Sequence, residues 1–408
     1  MNKIKLGDVL EVKRGMSLPG EYYATEGDYI RLTLGNFNYP SCGWKKNVLK
    51  DNLFFTGNVR DEYILKKGDI ITPLTEQVRG LLGNTATIPE DALYIQSGDI
   101  GLIIPDETKL DKRFSYYLVS SSVVKKQLDA RSQQTKIRHT SPEAIKDCVA
   151  FIPIIKEQKK ISYLLDCINK KIENNNAIND NLRASASIMF FNKIRYVQCS
   201  ECCQETEIGR YPIEWTLSTL GDVLDTIIDR RGLTPTKLGS EWSNEGIIAL
   251  SAKSVKNHEL VNLDIANHVD NDLYNRWMPQ KLQSQDILMT SEAPLGEFYY
   301  LADFSTYCLS QRLFAMRANK TIIEPTVLYF QLTDSIGKHQ IDIRKTGTTV
   351  TGIRQSELIQ VPIIVPPMNI QKEFARFCNP IMITIEKNAD EIRQLFKLQE
   401  MLLSRLSR

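Results

Sequence analysis

Whether a chain does covalent chemistry depends first on which nucleophiles, acids, bases and metal ligands stand at workable spacings. Cys199, Cys202 and Cys203 form a C-x-x-C-C cluster. Tetrahedral zinc needs four ligands, and neither a second C-x-x-C nor a spaced histidine pair accompanies these three. A structural or linker role is expected for them, and no metal site. The four histidines, His139, His258, His268 and His339, stand at no triad-like or metal-ligand spacing. No Gly-rich phosphate loop, H-E-x-x-H, G-x-S-x-G or G-x-G-x-x-G is present. Asn379-Pro380-Ile381-Met382 lacks the second proline and the aromatic of an Asn-Pro-Pro-aromatic loop. Acidic residues are scattered, as on solvated faces; Asp8, Asp222, Asp69 and Asp286 precede strands or turns and read as structural. No catalytic residue is expected.

The elements that position the remaining polar groups come in two sets. At 408 residues the chain exceeds one ordinary core and implies two or three domains. Hydrophobic residues at 42 % and charged residues at 25 % exclude a disordered or disulfide-scaffold chain. With 51 Lys+Arg against 49 Asp+Glu the net charge is +2, so affinity for a polyanion must come from local clustering. No apolar leader or membrane-spanning stretch is found, so a cytoplasmic location with free thiols is expected.

The chain runs through one programme twice. KLGDVL at 5 to 10 returns as TLGDVL at 219 to 224, each followed by an Arg-Gly turn, Arg14-Gly15 and Arg231-Gly232. LKKGDIIT at 65 to 72 is echoed by LQSQDILMT at 282 to 290, and YIQSGDIGLIIP at 94 to 105 by YCLSQRLFAMRA at 307 to 318. TKIRHTSPEAIKDCVAFIP at 135 to 153 aligns with TTVTGIRQSELIQVPIIVP at 348 to 366, and both continue through Gln-Lys into a helical segment. Each half opens with short β-like runs bounded by Gly, Pro, Asn and Asp. Single helical patterns are expected at 113 to 128 and 325 to 341. A compact α+β globule is therefore expected in each half, as an internal pseudo-twofold repeat.

After Pro153 and Pro366 the pattern changes to apolar residues at alternating steps of three and four. The first series is Ile161, Leu165, Ile168, Ile172, Asn175, Asn179, Leu182, Ala186, Met189; the second runs from Phe374 through Ile385, Asn388 and Leu395 to Leu406. Steps averaging about 3.5 predict two long helices paired as an antiparallel coiled coil that separates the globules. Asn175 and Asn388 occupy equivalent seam positions and would set the register. Pro380 should kink or delay the second helix.

The order globule, long helix, globule, long helix, with LGDV openings, GDI strands and a polar loop leading to a Pro segment and Gln-Lys, resembles the specificity subunit of a type I restriction-modification system over essentially the whole chain. The resemblance implies target-recognition domains at 1–153 and 198–366, with a central helical spacer at 154–197 and a C-terminal one at 367–408. Each domain would read one half of a bipartite, asymmetric double-stranded DNA target, and the helices would fix the unread spacer. It implies no catalysis and no cofactor on this chain, S-adenosylmethionine belonging to the modification subunit. The implied partners are two DNA-methyltransferase (modification) subunits and two restriction subunits, with no membrane.

Reading DNA needs Arg or Lys for guanine, Asn or Gln for adenine, and hydroxyls for phosphate. The loop from 131 to 141 concentrates Arg131, Gln133, Gln134, Lys136, Arg138 and His139; its counterpart supplies Arg344, Lys345, Thr346, Thr348, Thr349, Arg354 and Gln355. These are the leading DNA-facing candidates, with Arg79, Arg31 and Arg231 beside them and Lys45, Lys46, Arg230, Lys253 and Lys256 as further basic positions. Outer-face charges such as Lys159, Lys170, Arg376 and Lys387 mark the helices as a docking surface for the modification subunits. The competing reading is a helical scaffold, an assembly or inhibitor protein with two protein-binding globules.

Overall fold

The computed structural model describes residues 2–39, 42–48, 50–76, 80–131, 138–195, 203–303, 306–347 and 351–405. The chain forms two compact units, one of residues 1–173 with 393–408, the other of residues 174–392. No helix among the described residues is long and apolar enough to cross a membrane.

In the first unit the central sheet has the order Leu10–Arg14, Ile100–Pro105, Ile70–Pro73, Ala86–Thr87, every neighbour antiparallel. A second sheet carries Tyr23–Ala24, Phe54–Phe55, Tyr29–Arg31 and Tyr94–Ile95, the last pairing parallel. Asn2–Lys5 pairs with Val149–Ile152. The second unit repeats this plan with Leu224–Asp229, Leu313–Ala318, Ile287–Thr290 and Phe298–Tyr300 in its central sheet. A parallel pair of Ile247–Leu250 with Cys308–Leu309 and an outer pair of Thr216–Thr219 with Pro362–Val365 complete it. Register is kept as well as order. Ile103 faces Val12 and Ile70, and Met316, its counterpart, faces Ile227 and Ile287. These alternating apolar positions put one sheet face into each core, where Phe114, Leu118 and Leu128 cover the first, and Val327, Leu328 and Ile341 the second.

Each expected single helix beside the sheet is two. Lys112–Val119 and Ser122–Arg131 flank Ser120-Ser121, whose hydroxyls turn back onto the carbonyls of Tyr116, Tyr117 and Leu118. Pro325–Thr333 and Ser335–Ile343 flank Asp334, whose carboxylate accepts the Gly337 N–H at 2.7 Å. Short polar side chains that cap a new helix compete with continuing the old one, so apolar periodicity alone runs across the break. Cys42, Cys148, Cys167, Cys308 and Cys378 are free thiols, as expected. Cys203 departs from that expectation, being disulfide-bonded.

The long helices run over Ile155–Phe190, closing in a π-helical turn at Phe191–Arg195, and over Met368–Ser404, each about 55 Å long. The second starts well before Pro380 and continues through it, with the Pro380 carbonyl accepting the Thr384 hydroxyl at 2.8 Å. One buried amide anchors each helix base. Gln158 accepts the Asp111 N–H at 2.8 Å and donates to the carbonyls of Lys109 and Pro153 at 3.0 and 2.8 Å. Gln371 accepts the Glu324 N–H at 2.8 Å and donates to Ile322 and Pro366 at 3.0 and 2.7 Å.

Within the first unit the helix segments meet through Asn169 and Gln399, while Ile161 and Leu403 pack on the core. Within the second unit Ala186 and Phe190 join Phe374, Cys378, Met382 and Ile385 in one cluster. There the Asn388 amide donates to Asn179 Oδ1 at 2.8 Å, and the buried Asn175 amide to Glu391 at 2.7 Å. Partner positions rise on one helix as they fall on the other, so the strands of the seam are antiparallel. Each expected register amide meets a residue other than its repeat mate.

Replacing Gln371 by Ala leaves a buried N–H and two carbonyls without that partner and is expected to destabilise the second unit by on the order of 3 kcal/mol. Gln158→Ala should act similarly on the first, both read from denaturant midpoints. A pH dependence follows from His258, whose ring accepts or donates at 2.8 Å to Tyr329 Oη. Burial, with Lys338 and Arg183 nearby, pushes its pKa from 6.5 down to about 4. The unfolded chain therefore binds the extra proton first, and stability falls as pH drops from 6.5 towards 4. The His258→Asn variant, which suits the left-handed backbone there (φ 65°), should show a shallower fall in melting temperature across that window.

Candidate nucleic-acid interface

The two segments expected to face DNA in the first half share one root. Past the Ile70–Pro73 strand, Thr75–Glu76 pairs with Arg138–His139, and the Thr140 N–H donates to the Leu74 carbonyl at 2.8 Å. Glu76 is buried. Its Oε2 accepts the backbone N–H groups of Gly80, Leu81 and Leu82 at 3.0, 2.8 and 3.0 Å, and its Oε1 pairs with Arg138 at 2.8 Å. Arg138 also pairs with Asp129 at 2.7 Å. One carboxylate thus ties together the ends of the 77–79 and 132–137 segments. Arg79, Gln133, Gln134 and Lys136 lie outside the described residues. A cleft of about 360 Å³ opens beside the root, lined by Glu76, Leu82, Lys125, Lys126 and Asp129 among others.

The second unit builds the same root from different residues. The Ile353 N–H donates to the Ser291 carbonyl at 2.9 Å, and Glu292 bridges to Gly352. Thr346 and Gly352 exchange both backbone hydrogen bonds, at 2.7 and 3.0 Å, closing the loop that carries Thr348 and Thr349, which lie outside the described residues. A Cβ at Gly352 would stand 2.9 Å from the Ser291 carbonyl oxygen, so only glycine fits.

The basic candidates divide by how they are held. Arg31 is buried, donates to the Asn52 carbonyl at 3.1 Å and lies 3.7 Å over the Tyr23 ring; its guanidinium is committed to its own unit. Arg138 is committed to Glu76 and Asp129. Arg131 reaches the carbonyls of Ala144 and Asp147 at 3.2 and 3.3 Å, the end of a short helix. Arg231 pairs with Asp229 at 2.7 Å and lies over Phe314, while Arg230 Nε beside it is buried without a hydrogen-bond partner. Arg344 donates to Gln340, and Lys345 pairs with Asp342 at 2.8 Å. His139, Thr346, Arg354 and Gln355 are exposed at the two roots. Glu76, Glu292 and Arg312, which organise these roots, were not singled out from sequence. The signal available is an acid within three residues of the end of each GDI-type strand, Glu76 after Pro73 and Glu292 after Thr290, one register position apart. Among the described residues no cluster of His, Cys, Asp or Glu could hold a metal ion.

The sequence profile of the type I restriction modification DNA specificity domain matches residues 1–184 and again residues 212–396. The chain belongs to this type I specificity family. Two copies of the specificity domain account for the duplicated sheets, and each copy contains one of the loop roots. A putative type I restriction enzyme MjaX specificity subunit from Methanocaldococcus jannaschii is 24 % identical over 317 residues, covering 75 % of this chain and 69 % of its own. The crystal structure of a type I restriction-modification system S subunit from M. genitalium aligns with 100 % of this chain and 96 % of its own, with a TM-score of 0.56 at 14 % identity. That likeness concerns the fold.

Structural and exposed arginines should separate cleanly on substitution. Arg138→Ala leaves the buried Glu76 carboxylate unpaired and is expected to destabilise the first unit by about 3–5 kcal/mol. Arg354→Ala, at an exposed position, should change stability by no more than about 0.5 kcal/mol. Thermal melting of the two variants checks the contrast, and a marked loss of stability with Arg354→Ala would refute it.

Proposed function

We propose that this type I specificity subunit acts without catalysis of its own, as the part of a restriction-modification complex that reads a bipartite, asymmetric DNA target. Each specificity domain reads one half-site through the residues exposed at its loop root, His139 in the first and Thr346, Arg354 and Gln355 in the second. Gln133, Gln134, Lys136, Arg79, Thr348 and Thr349 belong to the same segments and join this assignment, whereas Arg31 and Arg138 support the frame. Length along the paired helices sets the spacer, since two modules read one face of B-DNA only about one helical turn apart or a multiple of it.

The observation that carries the reading is a constant backbone root with changed side chains: Thr75, Asp99 and His139 in one unit stand where Glu292, Arg312 and Gly352 stand in the other. A repeat that keeps its frame and changes its contact surface is suited to two different half-sites. Two modification subunits would dock on the helices, whose exposed Leu164 and Phe377 occupy equivalent positions. Those subunits would hold S-adenosylmethionine, restriction subunits would join them, and the complex would work in the cytoplasm. The scaffold reading lacks a comparable observation.

Methylome sequencing of cells expressing this chain with its modification subunit should return two unlike half-sites around an unread spacer. A contiguous or palindromic motif would overturn the bipartite assignment. Binding of the purified chain to a duplex should weaken steeply with salt.

A further inference from the structure

At the root of the second unit one arginine is held in an unfavourable backbone conformation. Arg312 has φ 64°, a region that side chains other than Gly, Asn and Asp seldom adopt. The surrounding backbone enforces it. The Arg312 carbonyl accepts the Ser291 N–H at 2.9 Å, and the preceding Gln311 carbonyl accepts the Ala252 N–H at 3.2 Å. A turn of this shape is easiest with glycine, so an arginine kept there points to a use for its side chain. That side chain is half exposed and pairs with the less exposed Glu292 at 2.9 Å. Glu292 in turn bridges to Gly352, where a Cβ would come within 3.1 Å of the Glu292 Cβ.

The first unit gives the comparison. There the Asp99 carbonyl accepts the Leu74 N–H at 2.8 Å in the same arrangement. The hydrogen bond to the strand end is shared, although of the two residues only Arg312 is left-handed, and the charge at the equivalent positions is reversed from Asp99 to Arg312 and introduced from Thr75 to Glu292. A conserved frame with inverted charge beside the loop is what different ligand edges would require.

We infer that Arg312 contacts DNA in the second unit and that Glu292 occupies its guanidinium until the duplex displaces the carboxylate, an inference that rests on the recognition role proposed above. An exposed ion pair contributes little to stability, so it is exchanged readily. Against non-cognate duplex the carboxylate competes with phosphate, which lowers indiscriminate binding.

Titration of a mixed-sequence duplex with the full chain over a range of salt tests this. Glu292→Gln should tighten binding by roughly fivefold. Arg312→Asn, which tolerates the left-handed backbone, should weaken binding and lower the slope of log affinity against log salt by about 1. In the Arg312→Asn background Glu292→Gln should have no further effect. Equal tightening in both backgrounds would mean that the carboxylate merely repels DNA, and an unchanged salt slope with Arg312→Asn would remove the contact; either overturns the inference. Arg312→Gly, compared by melting temperature, repeats the slope measurement should Arg312→Asn fold poorly. If the unaltered chain binds no duplex, the recognition role itself fails, which is distinct from silent substitutions in a chain that binds.

Discussion

A buried side-chain amide sets the direction in which each long helix leaves the strand before it. Gln158 and Gln371 each satisfy one backbone N–H and two carbonyls from two separate segments, with distances that agree within 0.1 Å between the units. An amide has the donors and acceptor for this triple role in a fixed plane, so the helix base cannot rotate without losing a bond in a site shielded from water. Sheet, outer strand pair and helix base are thereby joined as one piece. The loop roots sit on that piece, and their geometry is inherited from it.

The polar residues along the helix seam serve a different end. Leucine at the positions of Asn175, Asn179 and Asn388 would bury more apolar area, and the loss is the usual cost of amides in a coiled coil. In return Asn388 finds Asn179, Asn175 finds Glu391, and Asn179 also reaches the Ile385 carbonyl. A slip by one turn would break all three. Specificity of register is supplied by a few directional bonds, while buried apolar side chains, Leu165 and Ile172 in the first unit and Phe374 and Ile385 in the second, supply apolar burial.

Much of the architecture was legible because it depends on periodicity. The repeat offset that aligns Ile103 with Met316 in the sequence also aligns them in the two ladders. The step of about 3.5 residues located both long helices. What escaped depends on partners far away in the chain. Gln-Lys was visible as a repeat, yet the function of its glutamine lies in backbone groups 47 residues off. Arg31 and Arg138 are visible in the sequence only as basic DNA-facing candidates, because Asn52, Tyr23 and Glu76, which hold them, carry no local mark of the contact. The breaks at Ser120-Ser121 and Asp334 were hidden beneath continuous apolar patterns, since a capping side chain changes hydrogen bonding without changing hydropathy.

Residues 393–405 belong to the first unit, where Gln399 meets Asn169 and Leu403 packs beside the core. As the chain emerges from a ribosome, the helix seam of the first unit is filled only after the whole of residues 174–392 has been made. The second unit, contiguous from 174 to 392, is complete earlier. The first unit is therefore finished after the second, and until then Asn169 lacks its Gln399 partner and the core beside Ile161 lacks Leu403.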